Sequence, residues 1–156
     1  MHIVSDAHFF GFFSVAKQFA SAEERQHVLS YKFGALYVRD GQTVEEDMFG
    51  NVDGSAGFNA FMESLGERVQ LEGWQKYRAG LDVSGRNTTG THSIYTKLND
   101  FEIMFHVSTM LPHRSFDVQQ LERKRHIGND ICMIVYRENC TTPWRPNTVE
   151  SEFIRT

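Results

Sequence analysis

Residues 131–136 read Ile-Cys-Met-Ile-Val-Tyr, six side chains in succession without a charge. The run is too short for a core helix and too uniformly apolar for a strand with one wet face, so it predicts a buried strand covered on both sides. A chain holding such a strand has to build layers around it. Residues 31–38, rich in aromatic and β-branched side chains and closed by Asp40-Gly41, supply a second strand and a turn. Residues 93–98 and 101–107 flank the two-residue loop Asn99-Asp100, which tolerates positive φ, and predict a hairpin. Along its second arm Phe101, Ile103, Phe105 and Val107 share one face, while Glu102, Met104, His106 and Ser108 share the other. Residues 68–71 and 77–81 read as further short strands, and Pro112 ends the hairpin's second arm.

Helical signals fall between these runs. Thr43 and Glu46 have capping-box spacing ahead of a short acidic helix; Phe58, Phe61, Met62 and Leu65 recur at helical spacing and stop at Gly66. Asp117 and Gln120 form another such box, predicting a helix over 117–127 that ends at Gly128 and Asn129. Ser21 with Glu24, and Asn147 with Glu150, open short helices near the two ends. Helices interleaved with strands give an α/β or α+β layered fold: a mixed β-sheet with flanking helices. A chain of 156 residues makes one domain, with residues 1–30 as a helical lead-in and 31–156 as the body.

Composition narrows the function. With 16 Lys+Arg against 20 Asp+Glu the net charge is -4, which argues against a nucleic-acid platform. No run of about 18 apolar residues exists, so no direct membrane insertion is expected. The Phe-rich stretch from Ala7 to Ala16 has no Lys or Arg before it, unlike a secretory signal. Two cysteines, Cys132 and Cys140, make neither a disulfide framework nor a zinc spacing, which fits a reducing, cytoplasmic setting. No GxxxxGK[ST] phosphate loop occurs, so the chain is expected to bind no nucleotide by itself.

The densest chemistry lies in Leu121-Glu122-Arg123-Lys124-Arg125-His126-Ile127-Gly128-Asn129-Asp130. If the helix runs to its end, Asn129 lies four residues from Arg125 and three from His126, on one face. A carboxamide there could accept from a water and donate to an anionic oxygen at once. The blander alternative is a helix end whose cations answer the dipole and whose Gly-Asn is the cap, with the basic run as a solvated face. Cys132 with His126 and Asn129 has the residue types of a thiol hydrolase, yet Cys132 falls in an apolar strand. His92 and His106 could meet across the hairpin, but two ligands do not make a zinc site, and Glu45-Glu46-Asp47 are ordinary first-turn carboxylates; no metal site is expected.

The segment from Phe101 through Val107-Ser108-Thr109, followed by Gln119-Gln120-Leu121 and Arg123-Lys124-Arg125-His126-Ile127-Gly128-Asn129-Asp130, closely resembles the Rap-GAP (Rap/Ran-GAP) domain. Tyr31-Lys32-Phe33-Gly34, Gly41-Gln42-Thr43 with Glu45-Glu46, Tyr77-Arg78-Ala79-Gly80-Leu81-Asp82 and Thr89-Gly90-Thr91 continue the resemblance across roughly residues 31–153. Gly66-Glu67-Arg68-Val69, with Tyr77-Arg78-Ala79 and Met110-Leu111-Pro112, resemble most the signal-induced proliferation-associated and spine-associated members. The resemblance implies a GTPase-activating domain whose partner is a GTP-bound Rap-family small GTPase. Such GTPases lack the glutamine with which Ras orients the attacking water, and the activator supplies a carboxamide in trans. By position Asn129 is that asparagine thumb, with Arg125 and His126 beside it and Lys124, Gln42, Glu45 and Lys32 on the GTPase-binding surface. GTP and its magnesium belong to the partner, so the chain is a regulator without a cofactor of its own. The alternative is a scaffold module that binds the GTPase with little activation. His113-Arg114-Ser115-Phe116 and Glu122 depart from the usual residues, and either departure could retune which GTPase is accepted; relatives usually continue past Thr156 into another strand.

Overall fold

The computed structural model describes residues 29–139. The two terminal helices expected from Ser21/Glu24 and Asn147/Glu150 lie outside the described residues, apart from Leu29, which together with Ser30 already belongs to a strand. The described residues form a mixed five-stranded sheet with helices on both faces. In chain order these are β1 (Leu29–Val38), α1 (Glu45–Phe49), α2 (Ala56–Leu65), β2 (Glu67–Gln70), β3 (His92–Leu98), β4 (Phe101–Val107), α3 (Leu121–Gly128) and β5 (Cys132–Arg137).

The sheet order is β2-β3-β4-β1-β5. β2, β3 and β4 pair antiparallel, the hairpin closing Leu98 on Phe101 with Asn99 at φ 53°, as the sequence predicts. β1 then runs parallel to β4, with Phe33 opposite Phe105, and parallel to β5, with Phe33 opposite Cys132. The connection from β4 to β5 therefore has to cross over β1, and α3 is that crossover.

Strand alternation sends side chains to two cores. Cys132 and Ile134 join Phe33, Ile103 and Phe105 on one face, where α2 adds Phe58, Met62 and Leu65. Met133 and Val135 join Leu36, Val38 and Met104 on the other, against Met48 and Phe49 of α1 and Ile127 of α3. The apolar run is thus covered on both sides over 132–135, for the reason its composition implied, whereas Ile131 precedes the strand and is exposed and Tyr136 is half-buried. Helix α2 begins at Ser55, whose hydroxyl accepts from the Phe58 amide at 3.1 Å.

Three local expectations give way. Helix α1 forms, but Val44 precedes it and no side chain caps it, so the Thr43/Glu46 box is not used. Residues 77–81 are a turn instead of a strand: the Leu81 amide donates to the Arg78 carbonyl at 2.8 Å, and Ala79 takes φ 52°. Helix α3 starts at Leu121, four residues later than the Asp117/Gln120 spacing predicts, because Gln120 is left-handed at φ 49°. The buried Gln120 side chain instead holds the preceding loop, donating to the carbonyls of Arg114 and Asp117 and accepting from the Arg114 amide. Asp117 does act as a cap, its carboxylate accepting from the Leu121 amide at 2.8 Å.

Candidate functional site

Helix α3 is eight residues long, and its faces have different work. Arg123 and Ile127, four apart, are buried against the sheet layer. Leu121, Arg125 and Asn129, again four apart, make a stripe on the solvent side. The C-terminal end sits hard on β1: a Cβ on Gly34 would lie 2.7 Å from Ile127 Cγ2, so only glycine admits the helix this close.

Asn129 caps α3 and is half-buried. Its Nδ2 donates to the Arg125 carbonyl at 2.8 Å, one of the carbonyls a helix end leaves open. That bond fixes the plane of the carboxamide, and among the described residues Oδ1 accepts no hydrogen bond. The rings of His126 and His106 meet in a T-shaped arrangement, centroids 5.1 Å apart. Its pKa is lowered, first by burial and next by the charge of His106, with Glu122 opposing. The folded chain therefore holds His126 neutral where the unfolded chain would protonate it. The sign follows: a depressed pKa gives stability that is full above about pH 6.5 and lost as pH falls below it. Thermal melts of wild type and His126→Gln between about pH 7.5 and 5 should diverge on the acid side, wild type losing more; parallel curves would refute this assignment.

Arg125 is exposed, and its guanidinium pairs with Glu122 across one helical turn at 2.9 Å. Exposed pairs of this kind contribute about 0–1 kcal/mol, so Arg125 can exchange its partner at little cost. Beneath Asn129, Lys32 of β1 reaches to 3.7 Å from the Asp130 carboxylate. Burial raises the Asp130 pKa, opposed by His106 and Lys32. On the other flank of α3, Lys124 binds Glu45 of α1 at 2.8 Å, with Glu46 at 3.7 Å and the Phe49 ring below its ammonium. Gln42 makes a reciprocal amide pair with the buried Asn51 and donates to the Asp47 carbonyl at 2.8 Å. The seven residues singled out in the sequence thus divide. Asn129, His126, Arg125 and Lys32 gather at the end of α3, whereas Lys124, Glu45 and Gln42 tie α1 to the sheet and to α3.

Sequence reasoning missed three residues that build this site. Arg123, placed in a solvated basic run, is 1% exposed. Asp130 and His106 form a buried pair at 2.8 Å, so His106 faces Asp130 and not His92, which bonds Thr91. Cys132 is buried and its thiol is pushed up to about 11 by that burial, so it is no nucleophile. Among the described residues no three His, Cys, Asp or Glu side chains cluster as metal ligands, and no helix is long and apolar enough to cross a membrane.

The chain belongs to the Rap/ran-GAP family, whose model matches residues 48–156. It is 49% identical over 138 residues to RapA guanosine triphosphatase-activating protein 1 of Dictyostelium discoideum, covering 88% of this chain and 13% of that protein. It is 47% identical over 139 residues to signal-induced proliferation-associated 1-like protein 1 of Mus musculus, covering 89% and 8%. The chain therefore spans a small part of these relatives' length. Among solved structures it is similar to the TSC2 GAP domain, with a TM-score of 0.74 and 34% identity over 80% of this chain and 64% of that one.

Proposed function

We propose that this domain activates a Rap-type small GTPase by placing the Asn129 carboxamide against the water that attacks GTP. One observation carries the reading: Nδ2 of Asn129 is anchored on the Arg125 carbonyl while Oδ1 has no partner among the described residues. A fixed acceptor on the exposed stripe of α3 is what orienting a nucleophilic water requires. Phosphoryl transfer to water asks for positioning and charge stabilisation more than for covalent chemistry, so one well-held carboxamide can matter a great deal. Membership in the Rap/ran-GAP family and the similarity to a protein named as a RapA activator support the reading. Arg125, held among the described residues by Glu122 alone, and neutral His126 flank the thumb on the same face.

The test is single-turnover GTP hydrolysis by Rap as the chain is titrated in. Acceleration of at least about 10³ that disappears in Asn129→Ala is expected, by analogy with residues supplied in trans to other GTPases. Rap·GTP bound without faster hydrolysis would sink the reading.

The loop before α3 carries the choice of GTPase in this account. Phe116 is 84% exposed and, with Val118 and Leu121, forms an apolar edge leading into the thumb stripe. The Gln120 and Asp117 hydrogen bonds hold that loop, so the edge is displayed by a fixed backbone. Phe116→Ser should raise the half-saturating concentration roughly tenfold with little change in maximal rate, as expected of an apolar anchor. An unchanged half-saturating concentration would remove the loop from the interface.

A further inference from the structure

We propose that His106, buried under the end of α3, is a positioning residue for Asn129. The inference rests on the GTPase-activating role given to Asn129 and adds a device that holds it. Alternation along β4 puts His106 on the face of Met104, toward α3, and its ring is fully enclosed. Nε2 lies 3.0 Å from the Ala79 carbonyl, which can only accept, so Nε2 carries a proton. Nδ1 lies 2.8 and 3.0 Å from the two Asp130 carboxylate oxygens and 3.3 Å from the His126 carbonyl. One proton is therefore shared between His106 and Asp130, and the bond ties residues 126 and 130 to β4.

Those two residues bracket the thumb. The Asp130 amide donates to the Ile127 carbonyl at 3.2 Å, which leaves the His126 carbonyl to His106. The neighbouring Arg125 carbonyl takes Nδ2 of Asn129. Two adjacent carbonyls at the helix end are thus closed by side chains, one of them the thumb itself. The Ala79 turn is shaped for this arrangement: a buried, left-handed, non-glycine residue costs backbone strain, and its carbonyl meets His106. Lys32, 3.7 Å from Asp130, adds a charge on the same carboxylate from β1.

The experiment reads Asn129 twice on the ¹⁵N-labelled 156-residue chain. One readout is the pair of Asn129 carboxamide proton signals, assigned by their loss in Asn129→Ala, which requires no GTPase. The other is single-turnover hydrolysis by Rap·GTP, resolved into maximal rate and half-saturating concentration. In His106→Gln the carboxamide signals should collapse toward those of a freely rotating amide, and the maximal rate should fall at least tenfold at an unchanged half-saturating concentration. In Asp130→Asn the new amide donates to Nδ1, which then can no longer donate to the His126 carbonyl, so the carboxamide signals and the maximal rate should fall between those of wild type and His106→Gln. Carboxamide signals or a maximal rate unchanged in folded His106→Gln would overturn the proposal. If His106→Gln does not fold, the double variant His106→Leu/Asp130→Leu replaces the buried pair with apolar packing, an exchange proteins often tolerate, and is held to the same two outcomes. A wild-type chain that fails to accelerate Rap would count against the GTPase reading alone, since the carboxamide signals would still decide whether His106 holds Asn129.

Discussion

Asn129→Ala is expected to reduce the maximal single-turnover rate of the stimulated GTPase by about 10³ to 10⁵, the range a catalytic residue supplied in trans commands. At 1.36 kcal/mol per factor of ten this corresponds to roughly 4 to 7 kcal/mol of barrier. The size follows from what is removed. Alanine deletes an acceptor whose direction is already set by the Arg125 carbonyl, so the loss includes the orientation that the bond provides. Affinity should change little, because Leu121 and Arg125 remain exposed on the helix and Phe116 on the preceding loop. Asn129→Asp sharpens the expectation: the aspartate oxygen cannot donate to the Arg125 carbonyl, and it brings a negative charge toward a reaction that already spreads one. It should be as damaging as alanine. Should Asn129→Asp retain more than about a tenth of the wild-type rate, the carboxamide would not be the group that orients water.

The strands were legible because their constraints are local. The alternation of 101–107 and the uninterrupted run of 131–136 follow from which faces are covered, and Asn99 announces its own left-handed turn. Residues 77–81 misled because Tyr-x-Ala-x-Leu alternates like a strand, whereas the left-handed backbone at Ala79 answers a distant demand, the N–H of His106. Gln120 misled in the same way, its side chain serving the 114–117 loop instead of the helix start. The residues proposed as the thumb and its flank, Asn129, His126 and Arg125, were nominated by resemblance to the family, and the structure brings them together at the end of α3. The pair beneath them could not be named from the sequence, because two residues 24 apart in sequence meet only once α3 crosses β1. For Arg123 a signal existed: it stands four residues before the apolar Ile127, on the buried side of the helix, and only its charged neighbours disguised it.

That buried guanidinium should be the costliest single side chain to remove from the folded domain. Arg123 reaches from α3 to the end of α1, donating from Nη1 to the Phe49 carbonyl at 2.7 Å and the Asn51 carbonyl at 2.6 Å. Its Nη2 donates to the Leu111 carbonyl at 2.8 Å, and Nε lies 3.2 Å from the carbonyls of Leu111 and Pro112. Burial lowers its pKa to about 10, which still leaves it charged at neutral pH. Helix α1 has no basic residue in its own last turn, so Arg123 supplies the cation its C-terminal carbonyls favour. Arg123→Ala strips four carbonyls, those of Phe49, Asn51, Leu111 and Pro112, of a charged donor and opens a cavity under α3. Hydrogen bonds to charged groups contribute about 1.5–3 kcal/mol each and are not additive, which places the total near 3–5 kcal/mol and the melting temperature roughly 10–20 °C lower. Arg123→Met separates the two contributions, since it refills the volume and leaves the carbonyls orphaned. If the polar part dominates, Met should recover less than half of the lost melting temperature, and Arg123→Lys, with one compact ammonium in place of a planar fork, should also stay well below wild type. Recovery of the full melting temperature by Met would instead make Arg123 a space-filler, and the fork of carbonyl bonds would not be what docks α3 on α1.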